Sequence, residues 1–155
     1  MEAGGCVGMT TAPVAEAKAL GEGGITDVLI ANQVLSGLDQ LVEIAERSTI
    51  RVLVDDMANA RPIAEAGLAA GFDIGVLVEV DIGTHRSGVQ PGEPALDLVR
   101  NLIDMPGVRF DGLHAYHGHV VNILEPDNRA ESARSTMQLA IDTRRLVESA
   151  GIPCQ

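Results

Sequence analysis

Ile74-Gly75-Val76-Leu77-Val78-Glu79-Val80-Asp81 decides the fold of this chain. Its core, Val76-Leu77-Val78, is short and continuously apolar rather than alternating. Strands of that kind are covered on both faces, which is the habit of parallel sheets. The same pattern recurs upstream in Val28-Leu29-Ile30 and Val52-Leu53-Val54. Reading outward from these cores, five strands are expected: Cys6–Thr10, Asp27–Asn32, Ile50–Asp55, Ile74–Asp81 and Val108–Tyr116.

Helical runs separate them. Pro13 suits the first turn of the first helix and Gly21 its end. Ser36, with Asp39 three residues on, reads as an N-cap before Leu38, Leu41, Val42 and Ala45. Asp56 or Asn59 caps the third helix, which runs to Gly71. Pro94 opens the fourth, with Leu96, Val99, Leu102 and Ile103 on its inner face. Asn128 with Glu131 caps the last, whose stripe Ala133, Met137, Ala140, Ile141, Val147 has helical spacing. Strands and helices in strict alternation are repeated βαβ crossovers. The fold expected is α/β: about five parallel βα units, a partial (β/α)8 barrel cut at both ends, with a complete open doubly wound sheet as the alternative. No linker or second domain interrupts residues 1–155, and Gly151–Gln155 falls where a sixth strand is due.

Composition narrows the function. The 155 residues are 46% hydrophobic, 21% charged and 2% aromatic, so Val, Leu, Ile and Ala build one core. A net charge of −11 excludes a nucleic-acid binder held by a basic patch and disfavours an anionic membrane surface. No apolar run approaches the ~20 residues of a spanning helix. The N-terminal Met-Glu-Ala-Gly-Gly has neither a basic nor a long apolar region, so no secretory leader is expected. Cys6 and Cys154 lie in no C-x-x-C or C-x-x-H pattern and read as reduced, cytoplasmic thiols.

Ligands of parallel α/β folds gather at the carboxyl ends of strands. The polar residues there are Thr10-Thr11, Asn32-Gln33, Asp55-Asp56, Glu79 with Asp81, and His114-Ala115-Tyr116-His117-Gly118-His119. Caps and loop solvation account for such residues as readily as a site does. Alternation sends Glu79 and Asp81 to one face, and Arg86 follows within reach of an ion pair with either. Extended alternation also puts His114 and Tyr116 on one face and His117 and His119 on the other. The histidine cluster has no carboxylate or Cys at ligand spacing, so ring stacking on a planar cofactor or proton transfer is expected before zinc. Neither G-x-G-x-x-G, a P-loop, nor G-x-S-x-G is present.

Gly24–Val34, Leu77–Gly83 with Arg86-Ser87-Gly88-Val89-Gln90-Pro91-Gly92, and Gly112–His119 resemble, in order and spacing, the fold-type III pyridoxal-phosphate enzymes. The likeness is to the D-threonine aldolase and D-serine dehydratase branch, related to the alanine racemase N-terminal barrel. The resemblance implies that Arg86 approaches the cofactor's phenolic oxygen and that Tyr116 sits against its pyridine ring. His117 and His119 line the same mouth as catalytic residues. Glu79 stands where many alanine racemases have a modified lysine, which argues against racemization. The family's Schiff-base lysine belongs to a strand ahead of those seen here, whereas Lys18, the chain's one lysine, lies in the first helix. The family's glycine-rich phosphate loop would follow Gln155, and the branch's metal-binding pair would lie in a further β-domain.

The expectation is therefore an internal segment of a lyase for D-3-hydroxy amino acids, inactive alone. Its parent would use pyridoxal 5′-phosphate and a divalent metal, and would be a homodimer. A D-serine dehydratase-like segment and a non-catalytic pyridoxal-phosphate-binding module are the alternatives.

Overall fold

A computed structural model describes residues 5–154. Met1–Gly4, where the reading for a leader falls, and Gln155 lie outside the described residues. The sheet has five strands: β1 (Met9–Thr11), β2 (Asp27–Gln33), β3 (Thr49–Val54), β4 (Ile74–Val80) and β5 (Val108–Ala115). They stand in the order β1-β2-β3-β4-β5, and every pairing is parallel. Each strand joins beside its predecessor, as in a barrel wall; a doubly wound sheet reverses order at a switch point. Helices from successive crossovers pack on one face of the sheet, where their side chains join a single apolar cluster. The helices are α1 (Val14–Glu22), α2 (Leu38–Ala45), α3 (Met57–Ala70), α4 (Glu93–Ile103) and α5 (Pro126–Ser149).

The two faces of the sheet differ. Val28, Ile30, Ile50, Val52, Val54, Ile74, Val76, Val78 and Val80 pack with Leu41, Ile44, Ala60, Ile63, Leu96, Val99 and Leu102 of the helices. These β-branched side chains suit a pleated surface under helices. The alternate residues Asp27 and Leu29, Arg51 and Leu53, Gly75, Leu77 and Glu79 point to the opposite, inner face. Leu53 is buried there yet stands apart from the helix-side cluster.

Local chemistry accounts for the element ends. Asp56 accepts the Ala58 amide at 2.7 Å, and Asn59 accepts the Asp56 amide, a capping box on α3. Ser36 is not the cap of α2; Gly37 fills that place at φ 74°, a left-handed conformation that glycine adopts without cost. Asn128 lies inside α5, which begins at Pro126. The first strand is Met9–Thr11 rather than Cys6–Thr10, because the segment before it has no run of β-formers. Ile103 is exposed, and Ala95 and Leu98 join Leu96, Val99 and Leu102 on the buried side of α4. After α5 the chain returns towards β5, burying Ile152 and Cys154. Burial pushes the Cys154 thiol up, against a hydrogen bond with the Leu113 backbone. No helix among the described residues is long and apolar enough to cross a membrane.

Candidate active site

The carboxyl ends of β2 to β5 meet in a polar mouth on the inner face. A shift of register between Ile30 and Gln33 brings Gln33 into line with Leu53, so its side chain reaches inward. The Gln33 amide nitrogen donates to Asp55 Oδ2 at 3.2 Å and also to Glu79. Asp55 further accepts from Asn59 Nδ2 at 2.6 Å and from the Gly88 amide at 2.9 Å. Asp55 and Asp56 thus divide between two duties: Asp56 caps α3, and Asp55 ties β2, α3 and the β4 loop together.

Glu79 is buried, and its other oxygen lies 3.8 Å from His114 Nδ1, beyond a hydrogen bond. The buried His114 Nδ1 has no hydrogen-bond partner among the described residues. Burial pulls the His114 imidazole below its ordinary range, with Glu79 opposing.

The β4 loop folds back as a clasp. The Val89 amide donates to the Glu79 carbonyl and the Asp81 amide to the Val89 carbonyl, both at 2.9 Å. Gly88 has φ 100°, and a Cβ there would lie 2.6 Å from the Asp81 nitrogen, so only glycine fits. Inside the clasp, buried Asp81 accepts from the Gly83 amide at 2.9 Å, the His85 amide at 3.1 Å and the Thr84 hydroxyl at 3.5 Å. Its second oxygen meets His85 Nδ1 at 3.1 Å. Burial works to raise the Asp81 carboxyl, but these hydrogen bonds outweigh it and hold the group below the ordinary range.

Arg86 stands exposed on this clasp and pairs with neither Glu79 nor Asp81. The ion pair expected from the sequence does not form, because Asp81 is consumed by its own turn and Glu79 faces Gln33 and His114. Strand β5 ends at Ala115, so alternation does not continue to the last histidines. Tyr116 follows the strand, His117 precedes a 3₁₀ helix (Gly118–Asn122), and His119 rides on that helix. The Tyr116 ring is seated on Gly118, where a Cβ would come within 2.4 Å of it. The His119 ring lies over Gly83, within 3.1 Å of where a Cβ would stand, and its Nδ1 is buried without a partner. Glycines at 83 and 118 are therefore the seats of the two rings.

The structure thus brings His119 against Gly83 of the loop that also carries Arg86, and folds Tyr116 onto Gly118 after β5. Among the described residues no three metal-ligating side chains cluster. Lys18 is on α1, away from this mouth, and donates to Glu43 of α2 at 2.6 Å. The residues missed from sequence are Asn59 as a partner of Asp55 and His85 as a partner of Asp81. The second had a visible signal: an Asp two residues before a Gly is a side-chain-closed turn.

The comparisons with known proteins agree with this geometry. The family described as alanine racemase, N-terminal domain, matches residues 1–155. A D-threonine aldolase of Arthrobacter sp is 37% identical over 152 residues, 97% of this chain and 40% of that protein. The crystal structure of D-threonine aldolase from Filomicrobium marinum superposes with a TM-score of 0.93 at 38% identity, over 97% of this chain and 41% of the other. D-threo-3-hydroxyaspartate dehydratase from Delftia sp. HT23 superposes with a TM-score of 0.81 at 28% identity, over 94% of this chain and 39% of the other.

Proposed function

This chain belongs to the alanine racemase N-terminal domain family, and from that membership we propose that it is the mouth-forming part of a pyridoxal-phosphate-dependent lyase for D-3-hydroxy amino acids. The observation that carries the reading is the likeness to D-threonine aldolases along 97% of the chain. The chain spans about 40% of the length of that Arthrobacter relative, so the whole reaction belongs to a longer protein in this reading, and a divalent metal would be held by its other part.

The residues of the rim fit one side of the cofactor. Tyr116 offers a ring fixed by Gly118 as a platform for a flat heterocycle. Arg86 is exposed and, among the described residues, pairs with no carboxylate, an always-charged donor suited to a phenolate. His117 and His119 border the same rim, and His119 keeps a buried, unpartnered nitrogen. Lys18 does not fit the aldehyde end: it lies on the helix side, and its hydrogen bond to Glu43 raises its pKa, where an imine-forming amine needs a lowered one. When bound, pyridoxal phosphate supplies an electron sink for the pair left on the substrate's α-carbon. The protein side of the work is to hold the ring, keep the phenolic oxygen ionised and move the substrate's hydroxyl proton.

Dehydration is the second reading. It is supported by the likeness to the Delftia dehydratase and by Asn122, exposed as the last residue of the 3₁₀ helix, where an aldolase-type base would need a titratable group. The whole protein, given D-threonine and a divalent metal, decides between them. Glycine and acetaldehyde support the aldolase, 2-oxobutanoate and ammonia the dehydratase, and neither product overturns the lyase reading.

A further inference from the structure

Resting on the lyase reading above, we propose that His85 is the proton-accepting residue of this mouth and that Asp81 positions it. The chain has four histidines, all in β5 or in the loops after β4 and β5. Among the described residues only His85 has a ring nitrogen within hydrogen-bond distance of a carboxylate, Nδ1 to Asp81 Oδ2 at 3.1 Å. His114 stops 3.8 Å short of Glu79, and His119 is oriented by packing on Gly83 with no acceptor at its Nδ1.

The pairing fixes the ring's chemistry. An ionised carboxylate accepts only, so in the neutral ring Nδ1 carries the proton and Nε2 keeps its lone pair. The ring itself is 82% exposed while its Asp81 partner is 6% exposed, an anchored base with an open face. Backbone geometry agrees. His85 has φ 50°, the one positive φ outside glycine among the described residues. Strain of that kind persists where surrounding contacts enforce it. Here Asp81 Oδ1 enforces it by accepting the His85 amide. The strained turn also sets the imidazole directly before Arg86, so the base and the guanidinium share one loop.

The step is a proton transfer. The substrate's hydroxyl O–H bond breaks, an N–H bond forms at Nε2, and alkoxide and imidazolium result. The Asp81 carboxylate faces the new positive charge across the Nδ1 bond.

Nitrogen NMR of the imidazoles in the whole protein tests the pair. The expected result is His85 in the Nδ1–H tautomer, shifting towards Nε2–H in Asp81→Asn, which retains an oxygen for the two backbone amides. An Nε2–H tautomer in the unsubstituted protein overturns the proposal. The second arm is His85→Asn, because Asn tolerates positive φ and keeps the turn. It should keep the melting temperature and the KM for D-threonine, while kcat falls by about 100-fold or more. An unchanged kcat overturns the role of His85. Absence of turnover in the unsubstituted protein overturns the lyase reading, and the tautomer then decides His85 and Asp81 by itself.

Discussion

The two ends of the inner face carry charge in opposite ways. At the amino ends of the strands, Arg51 donates to Asp27 at 2.8 Å and to Asp111 at 3.1 Å, and Arg109 adds two bonds to Asp111 at 2.7 and 2.8 Å. Gly75 leaves room for this network, since a Cβ there would lie 2.7 Å from Asp111 Oδ2. At the carboxyl ends Asp55, Glu79 and Asp81 accept from amides, a hydroxyl and an imidazole. Among the described residues no arginine or lysine pairs with them. Charges matched within the protein hold a structure together. Charges left for amides to manage, beside orphaned imidazoles, hold capacity for a ligand.

The largest effect should come from breaking the matched end. Arg51→Met leaves Asp27 and the nearly buried Asp111 short of a donor, and should cost about 2 kcal/mol of stability in urea unfolding. Lyase turnover at the stability that remains should be unaffected. A variant as stable as the parent would show that the lower network contributes nothing.

The opposite experiment at the upper end should have a smaller effect of opposite sign. Glu79→Gln removes a buried charge that faces no cation while keeping an oxygen for Gln33. Stability should stay the same or rise by up to about 1 kcal/mol, while D-threonine turnover falls. A loss of stability equal to that of Arg51→Met would erase the distinction between the two ends.

The same distinction explains what was legible in the sequence. β2, β3 and β4 are readable because Val28-Leu29-Ile30, Val52-Leu53-Val54 and Val76-Leu77-Val78 must be covered on both faces. β1 was displaced, since Cys6-Val7-Gly8 offers no such run. At the mouth, Arg86 and Tyr116 were legible as candidates because they follow strand ends. Their partners were not, because partnership depends on where the chain turns. The register shifts at Gln33 and beside Val76/Leu77, and the early end of β5 at Ala115, all break a period-two reading. Asp81 was read as a partner for Arg86, yet the glycine two residues on closes a turn that takes both its oxygens.

The smallest effect sharpens the comparison through pH. Burial holds His114 below its ordinary 6.5, so above that value ring and unfolded chain are both neutral and the group adds nothing. As pH falls through 6.5 the unfolded chain takes up a proton that the folded ring resists, and stability declines until pH reaches the lowered folded value. A single ring contributes no more than about 1.4 kcal/mol per pH unit, and the partial exposure of His114 makes its share less. In the lower network Arg109 is raised further by its hydrogen bond to Asp111 and stays charged. Asp81, held low, loses its contribution only in stronger acid, as pH falls through the carboxylate range. Denaturant unfolding between pH 7 and 5.5 should therefore show a shallow acid-side loss that His114→Gln flattens and Arg51→Met leaves in place. If Arg51→Met flattened it instead, proton uptake would belong to the lower end, and the division between a structural end and a functional end would fail.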